Sequence, residues 1–245
     1  MNGLIVQAKY SFMPNRIGGC GIQGRTNDIF GYVTENVQDK GLEELLETFE
    51  VAYPYIKFIA HENGIQNPFD ARAVEAYWIG NELLDKVDKF KFYRWCHDRY
   101  KKQADPKILK LLVGKVPMGA LPHHSFHVFN SYLRGHNFNP VIKYLNECRI
   151  SSGKILKISD KQVEVETDEI ILGLGGLEFS GPIKRKVLTK IKGKSFVPDL
   201  KVGDYVSIHW GWVCDKMTPQ QVKNLKFYSQ KQLAFFNDEA SALSK

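Results

Sequence analysis

The hydrophobic period of this chain changes near residue 147, and that change constrains the fold more than any other feature. Before this point, apolar residues recur three and four positions apart, as on one face of an amphipathic helix. After it, apolar and polar residues alternate, as in half-buried β-strands. The pattern predicts an α+β protein. Its parts are a helical domain over residues 1–146 and a small antiparallel, OB-like β-barrel domain with a C-terminal helix over residues 147–245.

The first part contains several helix signals. In the segment NPFDARAVEAYWIGNELLDKV, Asn67 suits the N-cap and Pro68 the first helical position, and an apolar stripe runs from Val74 to Leu84. Further helices are predicted over GLEELLETF, PYIKFIAHENG, KFYRWCHDRY, PKILKLLVGK, PHHSFHVFNSYLRG and HNFNPVIKYLNE.

The second part contains strand signals. GKILKI and VEVET, joined by SDKQ, predict a hairpin. Further barrel strands are predicted over EIILGL, KRKVLTKI and DYVSIHWGW, and LGLGGLEFSG is predicted to be a loop or bulge. The closing segment TPQQVKNLKFYSQKQLAFFN has Thr218 as a suitable N-cap, Pro219 at the first helical position and Gln221 completing a capping box.

Alternation along the last predicted strand places Val206, Ile208, Trp210 and Trp212 on the core face. We therefore expect His209 to project from the opposite, more polar face, with small neighbours that leave room around it. The structural alternative is a histidine that is packed or solvated without a role in binding.

The 245-residue chain has four cysteines, which are widely spaced and form no CxxC pair: Cys20, Cys96, Cys148 and Cys214. This spacing argues against a zinc knuckle and against a disulfide framework. The chain also has no apolar run of about 18 residues and no secretory signal at its start, so we expect no membrane span and a cytoplasmic location.

The formal net charge of +7 is spread over both halves. The one locally dense stretch, KRKVLTKIKGK, contributes Lys184, Arg185, Lys186, Lys190, Lys192 and Lys194. Nucleic-acid binders concentrate positive charge in a patch and interleave it with aromatic residues, which are sparse here. The charge balance therefore suits an acidic protein partner at least as well, with the basic stretch as a partner-binding candidate, and nucleic-acid binding through an OB-like barrel is a third functional alternative.

Cys148 lies where the helical pattern ends and the strand pattern begins. Its thiolate and the imidazole of His209 would form a soft site suited to iron, zinc or copper. The structural alternative is a buried core cysteine, which is common among cysteines without disulfides. Cys214 is either core or an additional ligand.

The segment CRISSGKILKISDKQVEVE resembles the opening of the small hydrogenase maturation chaperones of the HypC/HupF family. These begin with a cysteine, a short apolar stretch, a Pro-Gly-Lys-like turn and a strand. KVGDYVSIHWGWVCDKMTPQQVKNL is similar to the second signature of that family, in which a Val-Gly-Asp-Tyr-Val strand leads to a histidine, a glycine and an aromatic residue. Cys148 matches the essential cysteine of the family and His209 its strand histidine. The entire chain also resembles an uncharacterised hydrogenase-associated family.

The resemblance implies a HypC-like barrel and an accessory role in nickel–iron hydrogenase maturation or assembly, as a chaperone or iron-centre carrier rather than an enzyme. Cys148 would bind iron with cyanide and carbonyl ligands in transit, and His209 would orient the bound group. The implied partner is the hydrogenase large subunit or a maturation scaffold protein. Two features differ from the family: its cysteine becomes the first residue of the chain, whereas Cys148 is internal, and Ser151 and Ser152 replace the usual Ile-Pro.

The helical part contains a second candidate site. In PHHSFHVF, His127 follows His123 by four positions and His124 by three, so one helix face could present two imidazoles. Further ligands could come from Cys20, Cys96 and His97. The alternative function is therefore a metal- or haem-binding enzyme or sensor centred on the three histidines. The structural alternative has Phe126 and Phe129 buried and the histidines solvated or capping.

Overall fold

The structure is a computed structural model that describes residues 3–19, 21–22, 24–102, 106–114, 116, 119–132 and 138–243. Over these residues, nine helices precede a closed β-barrel and a small second sheet, and one long helix follows. The predicted α+β class is confirmed.

The helices before the barrel are α1 (Gly3–Arg16), α2 (Thr26–Glu35), α3 (Lys40–Glu47), α4 (Ala52–Glu62), α5 (Ala71–Trp78), α6 (Lys89–Tyr100), α7 (Pro106–Gly114), α8 (His124–Tyr132) and α9 (Phe138–Cys148). The strands are β1 (Ser151–Ile158), β2 (Gln162–Thr167), β3 (Ile170–Gly173), β4 (Gly176–Phe179), β5 (Ile183–Leu188), β6 (Tyr205–His209) and β7 (Trp212–Met217). The chain then forms α10 (Pro219–Leu243).

The sequence pattern did not predict α1 and α2. Most residues of α1 are buried, polar ones such as Gln7 and Ser11 included. A helix that is enclosed on all sides has no exposed polar face, so its sequence lacks the amphipathic period. The helix predicted from Asn67 is also shorter than expected, because Asp70 caps α5 by accepting a hydrogen bond from the backbone N–H of Arg72 (3.0 Å).

The barrel is closed by five strands in the order β1–β2–β5–β7–β6, with β6 returning to pair with β1. The predicted β1–β2 hairpin is confirmed. The barrel interior is tight at Gly153, where an added Cβ would lie 2.9 Å from side-chain atoms of both Val165 and Ile208.

The segment predicted as a third barrel strand lies outside the barrel. It forms β3, which pairs with β4 inside the predicted loop to give a separate two-stranded sheet. This sheet packs against α9 and α10 because Ile170 and Leu177 are buried there, in a small apolar cluster with Leu145 and Phe236.

The last predicted strand is in fact two strands. His209 ends β6, Trp210 and Gly211 form a two-residue turn with φ of +52° and +66°, and Trp212 begins β7. Left-handed values at both central residues are typical of a type I′ hairpin turn. The prediction that Trp210 shares a face with Val206 is therefore wrong, because the chain reverses at Trp210.

Helices and barrel share one apolar core. On α1, the ring of Phe12 lies 5.7 Å from that of Trp212 in the barrel and 4.8 Å from that of Phe196.

The predicted capping box of α10 is confirmed: Gln221 N donates to Thr218 Oγ1 (3.2 Å), and Thr218 N donates to Gln221 Oε1 (2.9 Å). Within the described ranges, no helix is long and apolar enough to cross a membrane.

Candidate metal centre

Three side chains from distant parts of the sequence meet beneath the surface, where the helices cover one end of the barrel. The nitrogen or sulfur ligand atoms of His124, Cys148 and His209 all lie within 4.8 Å of one another. All three residues are buried, with exposed fractions of 4%, 8% and 1%. We call this group the His-Cys-His cluster.

Each member of the cluster stands at the end of a secondary-structure element. His124 is the first residue of α8, Cys148 the last residue of α9 and His209 the last residue of β6. The type I′ turn fixes the end of β6, and Trp210 N donates to the carbonyl of Glu147 (2.8 Å) on α9. The hairpin turn and the end of α9 are therefore tied together beside the cluster.

His209 is oriented by the backbone of α1. Its Nδ1 lies 2.8 Å from the carbonyl oxygen of Tyr10. Because a carbonyl only accepts, Nδ1 carries the proton and Nε2 keeps its lone pair. Among the described residues, Nε2 has no hydrogen-bond partner. Burial lowers the pKa of His209 to about 4, against the opposing effect of the Tyr10 and Cys148 carbonyls, so the ring is neutral at pH 7.

His124 is held in a similar way. Its Nε2 lies 2.9 Å from the carbonyl oxygen of Cys148, which makes Nε2 the donor. Its Nδ1 keeps the lone pair and lies 3.2 Å from the hydroxyl of Tyr77. Burial, followed by the proximity of His209, lowers the pKa of His124 well below its usual value. Both imidazoles of the cluster are therefore neutral. The lone pair of His209 has no hydrogen-bond partner among the described residues, whereas that of His124 accepts from the Tyr77 hydroxyl, which an ion bound at Nδ1 would displace.

The environment of the cluster is largely aromatic. The ring of Trp78 lies 4.5 Å from the ring of His124 and 5.6 Å from that of His209. Two imidazoles and a thiol form a donor set that suits zinc, iron or copper rather than magnesium or calcium, which prefer oxygen ligands. The orphaned lone pair of His209 is consistent with such an ion.

Comparison with known proteins identifies the family. The sequence model described as "Family of unknown function (DUF6390)" matches residues 1–242. The chain belongs to this DUF6390 family. No curated protein and no solved structure matches it. The DUF6390 match covers the helices, the barrel and all three segments that carry the His-Cys-His cluster.

Only part of the predicted histidine group in this DUF6390 chain joins the cluster. His123 lies on another side, stacked 6.0 Å from the ring of Tyr228, and burial lowers its pKa to about 4. His127 lies near the cluster, with its ring 6.4 Å from that of His124, but it is not one of the three converging residues. The alternative that these histidines are solvated is wrong for His123 and His124, which are buried, but capping is confirmed for His123, whose Nδ1 accepts from the backbone N–H of Ser125 (3.2 Å) at the start of α8. Phe126 and Phe129 are buried as expected.

The other predicted ligands do not converge with these histidines. Cys96 is fully buried in the apolar core, where burial raises the pKa of its thiol. His97 lies near the carboxylate of Asp98 (3.7 Å). Cys20 lies outside the described residues. Cys214 is fully buried in the barrel core and does not belong to the His-Cys-His cluster.

His209 lies on the same side as Ser207, since Tyr10 contacts both, and it adjoins a cavity, but this face of the strand is buried. Helices α1, α5 and α8 cover that face, with Tyr10, Trp78 and His124 in contact with the imidazole ring. Tyr77 and Trp78 belong to the apolar stripe predicted between Val74 and Leu84, and both are buried in the core as expected, whereas no sequence pattern pointed to Tyr10. Backbone carbonyls such as that of Tyr10 leave no signature in a sequence, so only the fold reveals this contact.

The predicted basic stretch of the DUF6390 chain is matched by acidic residues. On the barrel wall, Lys184 and Lys186 stand opposite Glu166 and Glu164 in the β2–β5 register. The remaining basic residues with ion pairs are Arg185 with Glu147 (2.6 Å), Lys190 with Asp160 (3.2 Å) and Lys194 with Glu35 (3.7 Å). Lys192 lies in the turn that follows β5, with φ of +50°. A surface patterned in this way lacks the concentrated positive charge of a nucleic-acid interface.

Proposed function

We propose that this protein is a metal-binding accessory factor that holds one soft or borderline transition-metal ion at His124, Cys148 and His209. One observation carries the proposal: three good ligand atoms from residues 124, 148 and 209 lie within 4.8 Å of one another in a buried site. If the three side chains met only by chance, there would be no reason for a hydrogen bond to fix the orientation of each imidazole ring.

The orientation of the imidazoles supports metal binding over simple packing. Metal-binding histidines typically donate their other ring N–H to a carbonyl or carboxylate, which fixes the tautomer. His209 donates to Tyr10 and His124 to Cys148 in this way. A buried nitrogen without a partner costs about 1–3 kcal/mol, and a bond to a metal ion would offset this cost.

We further propose that the bound metal is iron and that the accessory role belongs to hydrogenase maturation. The support is the resemblance of the Cys148 and His209 segments to the two signatures of the HypC/HupF chaperones, together with the proximity of these two residues. Because Cys148 is internal and buried, a cyanide- and carbonyl-ligated centre would be held in a folded pocket rather than at a free chain end. The partner would be the hydrogenase large subunit or the scaffold protein on which the centre is assembled.

The test measures the metal content of anaerobically purified protein after incubation with Fe(II) or Zn(II). We expect about one equivalent of metal per chain, and loss of the metal in Cys148→Ala and in His209→Ala. The matched control is Cys96→Ala, which removes a buried thiol outside the cluster and should retain the metal.

Wild-type protein that stays metal-free would contradict metal binding. So would loss of metal in His127→Ala with retention in Cys148→Ala, because that result would place the metal among the helical-domain histidines alone. Infrared bands of iron-bound cyanide and carbonyl, present in protein co-expressed with hydrogenase maturation proteins and lost in Cys148→Ala, would support the maturation role. Absence of these bands from wild-type protein that was co-expressed with the maturation proteins and contains iron would contradict that role and leave metal binding standing.

A further inference from the structure

A cavity of about 410 Å³ adjoins the His-Cys-His cluster. Its rim includes Gly18 and Glu50, which are exposed, and its base includes Cys148 and both cluster histidines, which are buried. The cavity therefore extends from the surface to the cluster. A volume in this range is typical of pockets for small organic molecules.

The cluster leaves a coordination position for such a molecule. Structural metal sites usually have four protein ligands, whereas sites with three protein ligands keep an open position for another ligand. Among the described residues, the group that converges here has three members. Since all three also line the cavity, a molecule in the cavity could reach an ion held by them.

The walls of the cavity select against anions. None of the described residues that line it is a lysine or an arginine, and Glu50 is an acidic lining residue. A phosphate or carboxylate would therefore find no cationic side chain among these residues, and the metal ion would be its one cationic partner.

Aromatic side chains supply much of the wall, and they favour a flat ligand. The aromatic lining residues, histidines aside, are Phe49, Tyr77, Trp78, Tyr144 and Trp210. Trp210 packs edge-on against Tyr144 (5.2 Å), and its indole N–H is buried without a hydrogen-bond partner in the described part of the chain. Trp210 also adopts a left-handed φ of +52°, which is rare for a bulky residue and marks a position held by its surroundings.

We propose that this cavity binds a small, uncharged aromatic molecule with a nitrogen donor atom, which completes the coordination of the metal ion at the His-Cys-His cluster. The ring of the ligand stacks against the aromatic wall, and its nitrogen bonds to the ion, as azole nitrogens do with zinc, cobalt and iron. This inference rests on the metal site proposed above and adds the class of molecule that the site receives.

The test uses cobalt(II)-loaded full-length protein, whose visible spectrum reports on cobalt coordination. The protein is titrated with 4-phenylimidazole and with imidazole. Both offer the same donor nitrogen, but only the first has an aromatic body to fill the cavity. Burial of the phenyl group should make 4-phenylimidazole bind roughly 10- to 100-fold more tightly than imidazole.

Two variants test the location of the bound ring. Ala52 is buried and lines the cavity, so Ala52→Leu should fill part of it and weaken 4-phenylimidazole at least about tenfold. Trp210→Asn removes the stacking surface and keeps a residue that tolerates left-handed φ, so it should weaken 4-phenylimidazole to a similar degree. The control is Trp95→Phe. Trp95 is aromatic but is not among the described residues that line the cavity, so this change should leave the affinities for 4-phenylimidazole and for imidazole unchanged.

The outcomes separate the two proposals. If cobalt binds but the two azoles bind equally well, or if a folded Ala52→Leu or Trp210→Asn protein binds 4-phenylimidazole like wild type, the ligand proposal is wrong and the metal site stands. If the protein takes up no cobalt, the metal site and the ligand proposal both fail.

Discussion

The ammonium group of Lys9 lies 3.1 Å from a carboxylate oxygen of Asp215, although 206 positions separate the two residues. Both side chains are nearly buried, with exposed fractions of 11% and 12%. Next to this pair, the hydroxyl of Tyr10 donates to Ser207 (2.8 Å). These contacts fix α1 to β6 and β7, and they hold in place the Tyr10 carbonyl that orients His209.

Loss of the Lys9 charge should destabilise the protein. We expect Lys9→Met to lower the free energy of unfolding by about 3 kcal/mol, because it leaves the carboxylate of Asp215 nearly buried without its cation. The double variant Lys9→Met/Asp215→Leu should recover most of the loss. Denaturant unfolding of both variants checks this. Equal stability of Lys9→Met and wild type would show that the pair does not secure α1.

The barrel should not tolerate a side chain at Gly153. A Cβ there would lie 2.9 Å from Val165 Cβ and Ile208 Cδ1, so Gly153→Ala should lower the free energy of unfolding by about 1–3 kcal/mol. Because Ile208 precedes His209, metal affinity should fall as well. The matched control is Gly175→Ala, where an added Cβ has open space around it. Similar stability of the two variants would contradict the predicted strain.

The metal-free protein should lose stability in mild acid. Burial holds the pKa of His123 and of His209 at about 4, and that of His124 also lies well below its usual value. In the unfolded chain these histidines bind protons near pH 6.5. Between pH 6.5 and about 4 the unfolded state therefore binds more protons, and the free energy of unfolding falls as the pH is lowered.

Each such histidine contributes about 1.4 kcal/mol per pH unit to this slope within the window. Urea unfolding at several pH values from 7.5 to 4.5 checks the slope, and His123→Asn, which spares the His-Cys-His cluster, should make it shallower. A flat profile, or an unchanged slope in His123→Asn, would show that these side chains are not buried in the neutral form.

The protein should not bind nucleic acid through its barrel. The facing glutamates and the ion pairs at Arg185, Lys190 and Lys194 offset the positive charge of β5 and its following turn. Fluorescence anisotropy with labelled single-stranded DNA and RNA at low salt should show no binding that weakens steeply as salt increases. A steep salt dependence, lost in Lys184→Ala/Lys186→Ala, would favour the OB-like alternative.

The local patterns of the sequence predicted the elements that have one buried and one exposed face. The β1–β2 hairpin and the capped start of α10 are examples, because each combines a clear period with suitable terminal residues. The interior helix α1 lacks such a period and was missed. The turn at Trp210 was missed because a tryptophan in the left-handed region contradicts ordinary turn preferences.

The sequence also suggested the three cluster residues, but in separate groups. Cys148 and His209 were paired on their ligand chemistry and on one family resemblance, and His124 came from a histidine-rich helix start. Nothing in the spacing of residues 124, 148 and 209 indicates that they meet, because the meeting depends on the packing of α8 and α9 over the end of β6. Long-range packing of this kind is decided by the whole core rather than by any local segment.

The scattered origin of the cluster also sets the order of events during synthesis. Since His209 lies 61 positions after Cys148 and 85 after His124, a nascent chain on the ribosome cannot offer the complete ligand set until β6 has emerged. An ion held by all three side chains of the proposed site would therefore play no part in the folding of the helices that are made first. Loading of the proposed site would therefore follow the synthesis of β6, at a stage when the cell can control which metal is delivered.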